Sequence, residues 1–560
     1  MTEPNVLTLH AGDVFVGDLF FNVYFGAAEF QLLNSIGIDA MAVGNHEFDL
    51  TPSTLLQSLQ ASFLPGEGFP LLSANLILSD STVQPLQDYI SPFTIMQIGN
   101  IKVGIFGLTT PETNLLSLPS PAVIDDDIIS IAAAMVDSLT VQNCDVIILL
   151  SHLGLNLDQL VASNVAGIDV IVGGHDHYLL ETPVEVLNPL GETTLIVQAK
   201  ANYLYIGKLK LLVNAGEVNL LDYQMIHLDK SIQEEPTVLA EVNNLIAGIE
   251  TTYGPVYSQQ IANADNEFEE VADSLIFAGY RDTPIGNLIT DAFRQKTGTD
   301  ISIEAGGSTA QPFYQGPLVA ADAFRVVGYG FNEVNGLGYR LVTFDMLGAD
   351  LWVALETVLA TIELNDEFLP QVSGMKYVYN PNNDPGTRLL SVTVAENPID
   401  PSATYSVTGN EFLAAILTSY LQIPIGNYYL YDSLSEFQVL SEYIALQQTI
   451  SPLVEGRIIA DISIDVENEN PVPAKFELAQ NYPNPFNPTT NFEFRIADFG
   501  MVSLRIYDIL GNEVATIVNE QLPADNYKYK WDANGIASGV YFYKLQAGDF
   551  VETKKLVLMK

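Results

Sequence analysis

The chain predicts an α/β layered domain, then a mixed α+β region, then a small all-β module. Three observations carry this. From residue 5 to about 230, strand-sized apolar runs alternate with helical stretches. A lone amphipathic helix then separates this block from a second mixed one. Past a polar, proline-marked linker, short alternating strands close the chain. A 560-residue chain is too long for a single core and should divide into about three or four domains.

In order, strand-like runs at Val6–Leu9, Asp39–Val43, Lys102–Phe106, Val146–Leu150 and Asp169–Val172 each end in a polar or glycine-rich turn. Helical stretches such as Thr54–Ala61, Ile128–Leu139 and Asp158–Ala162 lie between them. That alternation reads as a layered α/β domain over 1–232, and ligands of such sheets gather at strand ends. Residues 233–254 read as a linker helix, with apolar Val238, Leu239, Val242, Leu245, Ile246 and Ile249 at helical spacing. The mixed region spans 255–462, with a helix start near Gly286-Asn287-Leu288. The linker is 463–475, where Asp465–Pro473 is polar and rich in proline. The block 476–560 alternates in strands such as Val502–Tyr507, Tyr527–Trp531 and Gly539–Leu545.

Composition removes several classes of function. A net charge of −46 and a sequence pI near 4.1 argue against any nucleic-acid surface, because phosphate backbones would be repelled. The acid is uneven: residues 476–560 carry ten Asp/Glu and eight Lys/Arg, which leaves −44 on the first 475. No apolar run approaches the ~20 residues of a membrane-spanning helix, so no transmembrane segment is expected. The single cysteine, Cys144, excludes a disulfide within the chain and reads as a small hydrophobe. No basic and apolar leader precedes Asn5, so no signal peptide is visible.

Four of the six histidines fall in glycine-flanked turns that follow apolar runs. These are Gly44-Asn45-His46-Glu47-Phe48-Asp49, Ser151-His152 and Gly173-Gly174-His175-Asp176-His177, joined by Gly12-Asp13. Asp can bridge two cations, Asn offers a neutral carbonyl oxygen and His a nitrogen, the donor mix of a divalent-metal hydrolase. In an extended segment the side chains of His175 and His177 point the same way.

These motifs resemble the calcineurin-like metallophosphoesterases, specifically the secreted 5′-nucleotidase/2′,3′-cyclic-phosphodiesterase family, over residues 5–462. The resemblance implies a four-layer sandwich followed by an α+β substrate-binding domain. It implies two divalent metal ions (zinc, manganese, iron or cobalt) held by Asp13, Asn45, His152, His175 and His177. It implies His46 as the residue that stabilises charge on the phosphoryl group, with Asp49 orienting it, and a metal-bound water as nucleophile. Glu47 reads as structural. The family's first strand also carries an Asp-x-His pair, for which nothing precedes Val6, so one metal site is expected to be incomplete and the start to lie upstream. His10 could fill that vacancy, although a supporting or core role fits it better. His227 lies outside every motif and reads as structural.

In the second domain the resemblance holds at Gly286-Asn287-Leu288-Ile289-Thr290-Asp291-Ala292, Ser373-Gly374-Met375-Lys376-Tyr377 and Gly456-Arg457-Ile458. It implies substrate binding by Arg281 and by Phe331 with Asn332. Where the family has a clamping arginine, this chain has Thr309. The second base-stacking wall is not recognisable after Gly409-Asn410-Glu411-Phe412, and Phe412 reads equally well as core. Residues 476–560 resemble the type IX secretion sorting domain, through Asn481-Tyr482-Pro483-Asn484-Pro485-Phe486-Asn487-Pro488, Ile506-Tyr507-Asp508-Ile509-Leu510-Gly511 and Ser538-Gly539-Val540-Tyr541.

The expectation is therefore a secreted hydrolase of nucleoside 5′-phosphates, extracellular or on the outer cell surface. Its partners would be a small-molecule nucleotide or related phosphoester and the type IX secretion machinery. The alternatives are a non-catalytic nucleotide-binding surface protein, or a hydrolase of cyclic nucleotides or nucleotide sugars.

Overall fold

A computed structural model describes residues 5–214, 217–268, 281–332, 334–362, 369–461 and 476–558, the last without 482–483, 485, 487, 497–499, 509–511, 523–524 and 549. The chain forms two compact units, Met1–Ile462 and Ser463–Lys560. The expected linker at 463–475 lies outside the described residues.

Two sheets stack in the first part of the larger unit. One is all parallel, in the order Leu9–His10, Ala40–Ala42, Leu71–Leu72, Ile90–Ser91. The other has parallel central strands Ile101–Thr109, Val146–His152, Val170–Val172 and Thr193–Val197, edged by antiparallel Phe93–Ile98 and Val184–Leu187. Strand alternation explains the layering. Ala40, Ala42 and Leu72 meet Val103, Ile105 and Val146 between the sheets. Met41, Val43 and Leu71 face outward, onto Phe30 and Leu33 of helix Ala27–Ile36 and Leu55 and Leu59 of helix Pro52–Ser62. Helices Ile128–Val141 and Leu155–Asn164 cover the far side through Ala132, Val136, Val161 and Ala162. Helices, two sheets and helices make the expected four layers. Because both sheets are covered on both faces, their strands read as unbroken apolar runs.

The first strand is Leu9–His10 rather than Val6–Leu9, and Val6 is exposed. The sequence pattern missed helices Leu19–Tyr24 and Ala27–Ile36. The first has six residues, too few to show a period, and left-handed Phe25 and Gly26 separate the two. The linker helix is Pro236–Tyr253, started by Pro236 and by Glu235, whose carboxylate accepts the Val238 N–H at 2.8 Å.

Beyond it, a five-stranded sheet runs in the order Pro370–Ser373, Ile301–Ala305, Thr404–Asn410, Arg340–Leu347, Gly426–Ser435. Helix Pro284–Thr297 packs against it, with the Thr283 hydroxyl accepting the Gly286 N–H at 2.9 Å. The two halves share a core: Leu19 of the first is buried with Phe324, Phe437 and Leu440 of the second.

The smaller unit has two antiparallel sheets around Phe486, Phe492, Trp531 and Tyr543. Tyr482, Pro483, Pro485 and Asn487 of its opening motif, and Ile509-Leu510-Gly511, lie outside the described residues. The motif's other side chains fasten the start of this unit into its sandwich. Asn484 accepts the Val557 N–H at 2.9 Å, and Phe486 is buried against Trp531.

Candidate metal centre

Backbone conformation brings the strand-end turns together. Gly12 has φ +102, and a Cβ there would sit 2.9 Å from both the Gly44 nitrogen and His152 Nδ1. A Cβ at Gly44 would stand 2.1 Å from Asp13 Oδ1. Glycine at both positions lets two loops and a histidine ring close on one another. Asp13 and His175 themselves adopt left-handed φ values of 62 and 84, local strain of the kind found at functional sites.

Asp13, His152 and His175 are the one group of three carboxylate, histidine or cysteine side chains among the described residues whose donor atoms could share a metal ion, all within 4.8 Å of one another. His152 is buried and donates Nδ1–H to the Ala11 carbonyl at 2.6 Å. Its Nε2 then faces Asp13 Oδ2 at 2.7 Å and Asn45 Oδ1 at 3.2 Å. Three electron-pair donors converge on one point, an arrangement that requires a proton or a metal cation. The residues therefore fit a divalent ion. Burial alone would raise the Asp13 carboxyl, but His152 and His46 hold it well below the usual carboxylate range. His175 reaches Glu112 Oε2 through Nε2 at 2.9 Å, which leaves its other ring nitrogen for a cation.

His177 lies two residues on, also with positive φ, and stands outside the three-residue group. Burial lowers its pKa to about 4, although Asp13 opposes this. It is therefore a neutral imidazole, the form that ligates metals.

Beside the cluster, the backbone N–H of His46 donates to Asp13 Oδ1 at 3.0 Å, which ties the residue to that carboxylate. Its Nδ1 lies 2.6 Å from Asp49 Oδ2, and Ser117 Oγ donates to Asp49 Oδ1 at 2.9 Å. Burial by itself would lower the His46 pKa, but Asp49 and Asp13 override it and raise the value to about 10. Asp49 thus orients the ring and leaves Nε2 as its second nitrogen.

Glu47 is buried and accepts the N–H groups of Gly44 at 2.6 Å, Asp13 at 3.1 Å and Val14 at 2.7 Å. It fastens the two loops together, as its structural reading expects. His10 accepts the Gly12 N–H through Nδ1 at 3.1 Å, and its Nε2 meets the Tyr203 hydroxyl at 3.0 Å. Both ring nitrogens are engaged in a supporting role. His227 sits exposed at a strand end, against the ring of Tyr205.

In the second half of the unit, Arg281 donates Nη1–H to the Asp282 carbonyl at 3.1 Å, just ahead of helix Pro284–Thr297. Phe331 packs on Phe25 of the metal-binding half, ring centroids 5.5 Å apart. Asn332 is fully buried; its carboxamide accepts the Val334 N–H at 2.9 Å and donates to the Asp432 carbonyl at 3.5 Å. Thr309 closes the short turn Gly306–Ser308. Phe412 stacks on Tyr339 at 5.5 Å. The helix that carries it, Glu411–Ala415, runs on as a π-helical turn, Ile416–Tyr420.

Residues 2–179 match the calcineurin-like phosphoesterase family and residues 260–420 the 5′-nucleotidase C-terminal domain. The 5′-nucleotidase of Diplobatis ommata is 30% identical over 484 residues, which cover 82% of each protein. The chain belongs to the 5′-nucleotidase family. The human 5′-nucleotidase is also 30% identical, over 502 residues, covering 81% of this chain and 82% of that protein. The crystal structure of a 5′-nucleotidase precursor from Thermus thermophilus superposes with TM-score 0.70 at 29% identity, over 82% of this chain and 90% of that one. Residues 480–559 match the secretion system C-terminal sorting domain. This 5′-nucleotidase-family chain is thus a metal-dependent phosphoesterase carrying a secretion signal at its C-terminal end.

Two neighbours of the site escaped the sequence pattern. Glu112 follows strand Ile101–Thr109, at whose end the sequence shows no ligand-type turn. Ser117 has a commonplace residue type and lies 68 positions from Asp49, so no local signal marks it.

Proposed function

We propose that this chain hydrolyses nucleoside 5′-monophosphates to nucleoside and phosphate outside the cell, after export by the type IX route. The observation that carries the reading is the convergence of Asp13, Asn45 and His152 beside an oriented His46–Asp49 pair. Divalent ions, two in this reading and drawn from zinc, manganese, iron or cobalt, supply positive charge to the phosphoryl oxygens and acidify water. Asp13, Asn45, His152 and His175 would hold one ion; His177, with Asp13, would serve the other.

The chain's own residues do the rest. Asp49 accepts the Nδ1 proton of His46 and, itself held by Ser117, fixes the ring. Nε2–H of the imidazolium donates to the phosphoryl group or its leaving oxygen, where negative charge grows. Burial of His152 and Asn45 excludes water, which strengthens each of these electrostatic interactions. Arg281 and the Phe331–Asn332 loop form the nucleoside side. With a chain charge of −46, attraction of an anionic substrate depends on the bound cations.

A substrate panel tests the reading: phosphate release from 5′-AMP, 3′-AMP, a 2′,3′-cyclic nucleotide (with added phosphomonoesterase) and a nucleotide sugar. Selective turnover of 5′-AMP supports it. A preference for either of the last two reassigns the ester.

A further inference from the structure

Tyr329 belongs to the substrate-binding half, in the loop after helix Ala320–Val326, yet its ring lies on His46 of the metal-binding half. The centroids are 5.4 Å apart and the planes 25° from parallel. The loop is held in place around this contact. Gly330 has φ +79, and a Cβ there would come within 2.4 Å of the Tyr339 ring, so the chain can turn beneath Tyr329 only with glycine. The Tyr339 N–H donates to the Tyr329 carbonyl at 3.2 Å. From the metal-binding half, buried Asn22 donates to the carbonyls of Gly330 at 3.3 Å and Gly336 at 2.7 Å, and Phe25 covers Phe331.

His46 is tethered through Nδ1 to Asp49. A single hydrogen bond fixes the direction of that nitrogen but lets the ring plane turn about the bond. A ring stacked on the imidazole face removes that freedom, and an aromatic face also favours a cationic partner.

We propose that Tyr329 is a positioning residue that sets the ring plane of His46, so that the substrate-binding half completes the His46–Asp49 pair. This rests on the phosphoesterase reading of the site. The consequence is that docking of the two halves, and not the metal-binding half alone, aligns the Nε2 donor.

The test combines kinetics with a direct view of the ring. In the metal-loaded full chain, Tyr329→Ala should lower kcat about tenfold and change KM less than about twofold, because the defect is in alignment rather than in binding. Tyr329→Phe keeps the stacked ring and should retain most of the rate. In a His46→Ala background, Tyr329→Ala should cost nothing further. In histidine-selectively labelled protein, the His46 ring proton signal, assigned with His46→Ala, should move on Tyr329→Ala and stay near its place on Tyr329→Phe.

An unmoved His46 signal, an undiminished kcat, or an equal loss in the His46→Ala background would each overturn the proposal. Should p-nitrophenyl phosphate be hydrolysed and 5′-AMP not, the nucleotide reading fails on its own, and the same cycle is read on the aryl ester.

Discussion

His152 Nε2 lies 2.7 Å from Asp13 Oδ2, although the two residues extend strands of different sheets. The metal centre is therefore a product of sheet stacking. The apolar layer of Ala40, Ala42, Leu72, Val103, Ile105 and Val146 sets how far apart its ligands stand.

Asp13→Asn keeps the side-chain shape and removes the negative charge. Divalent-ion affinity, measured by titration calorimetry on chelator-stripped protein, should fall about a hundredfold or more. An unchanged affinity would place the ion elsewhere.

Asp49→Asn should leave metal content intact and lower kcat on the order of 10- to 100-fold, since the amide offers one oxygen to both His46 and Ser117 and no charge to hold the His46 proton. Ser117→Ala, one bond further out, should cost less than that. Equal metal content with undiminished kcat would remove the pair from the reaction.

Glu47→Ala strands three backbone N–H groups, all in the loops that carry Asp13 and Asn45. Each buried orphan donor costs about 1–3 kcal/mol, so a loss of about 3 kcal/mol or more is expected in urea unfolding. Metal affinity should fall with it, because Asp13 is no longer held against the Gly44 turn.

Buried Glu304 and Glu436 share the Asn410 carboxamide, at 3.1 and 2.9 Å. Burial pushes Glu304 up to about 7, and burial with Glu304 beside it pushes Glu436 well above the usual range. In the unfolded chain both would ionise near 4.5. The pair's contribution is therefore fully present below about pH 4.5 and lost as pH rises through 7. Glu436→Gln should raise the urea midpoint at pH 8 and leave it nearly unchanged at pH 4.5.

Much of this was legible in the sequence because ligand turns follow strands directly. Asn45, His152 and His175 each sit within three residues of an apolar run, and the run itself announces the sheet. What was not legible is what reaches across. Glu112, Ser117 and Asn22 are common residue types, and the partners they meet, His175, Asp49 and the 330–336 loop, lie 63, 68 and more than 300 positions away. The alternation of His175 with His177 reads as an extended segment, but both residues adopt a left-handed backbone in the structure.

The most direct test of the central claim is phosphate release from 5′-AMP by chelator-stripped protein as Mn²⁺ or Zn²⁺ is added back, run beside Asp13→Asn. The account predicts negligible release without metal, restoration on titration, and no restoration in the variant. Release that survives chelation, or that Asp13→Asn supports as well as the parent chain, would contradict it.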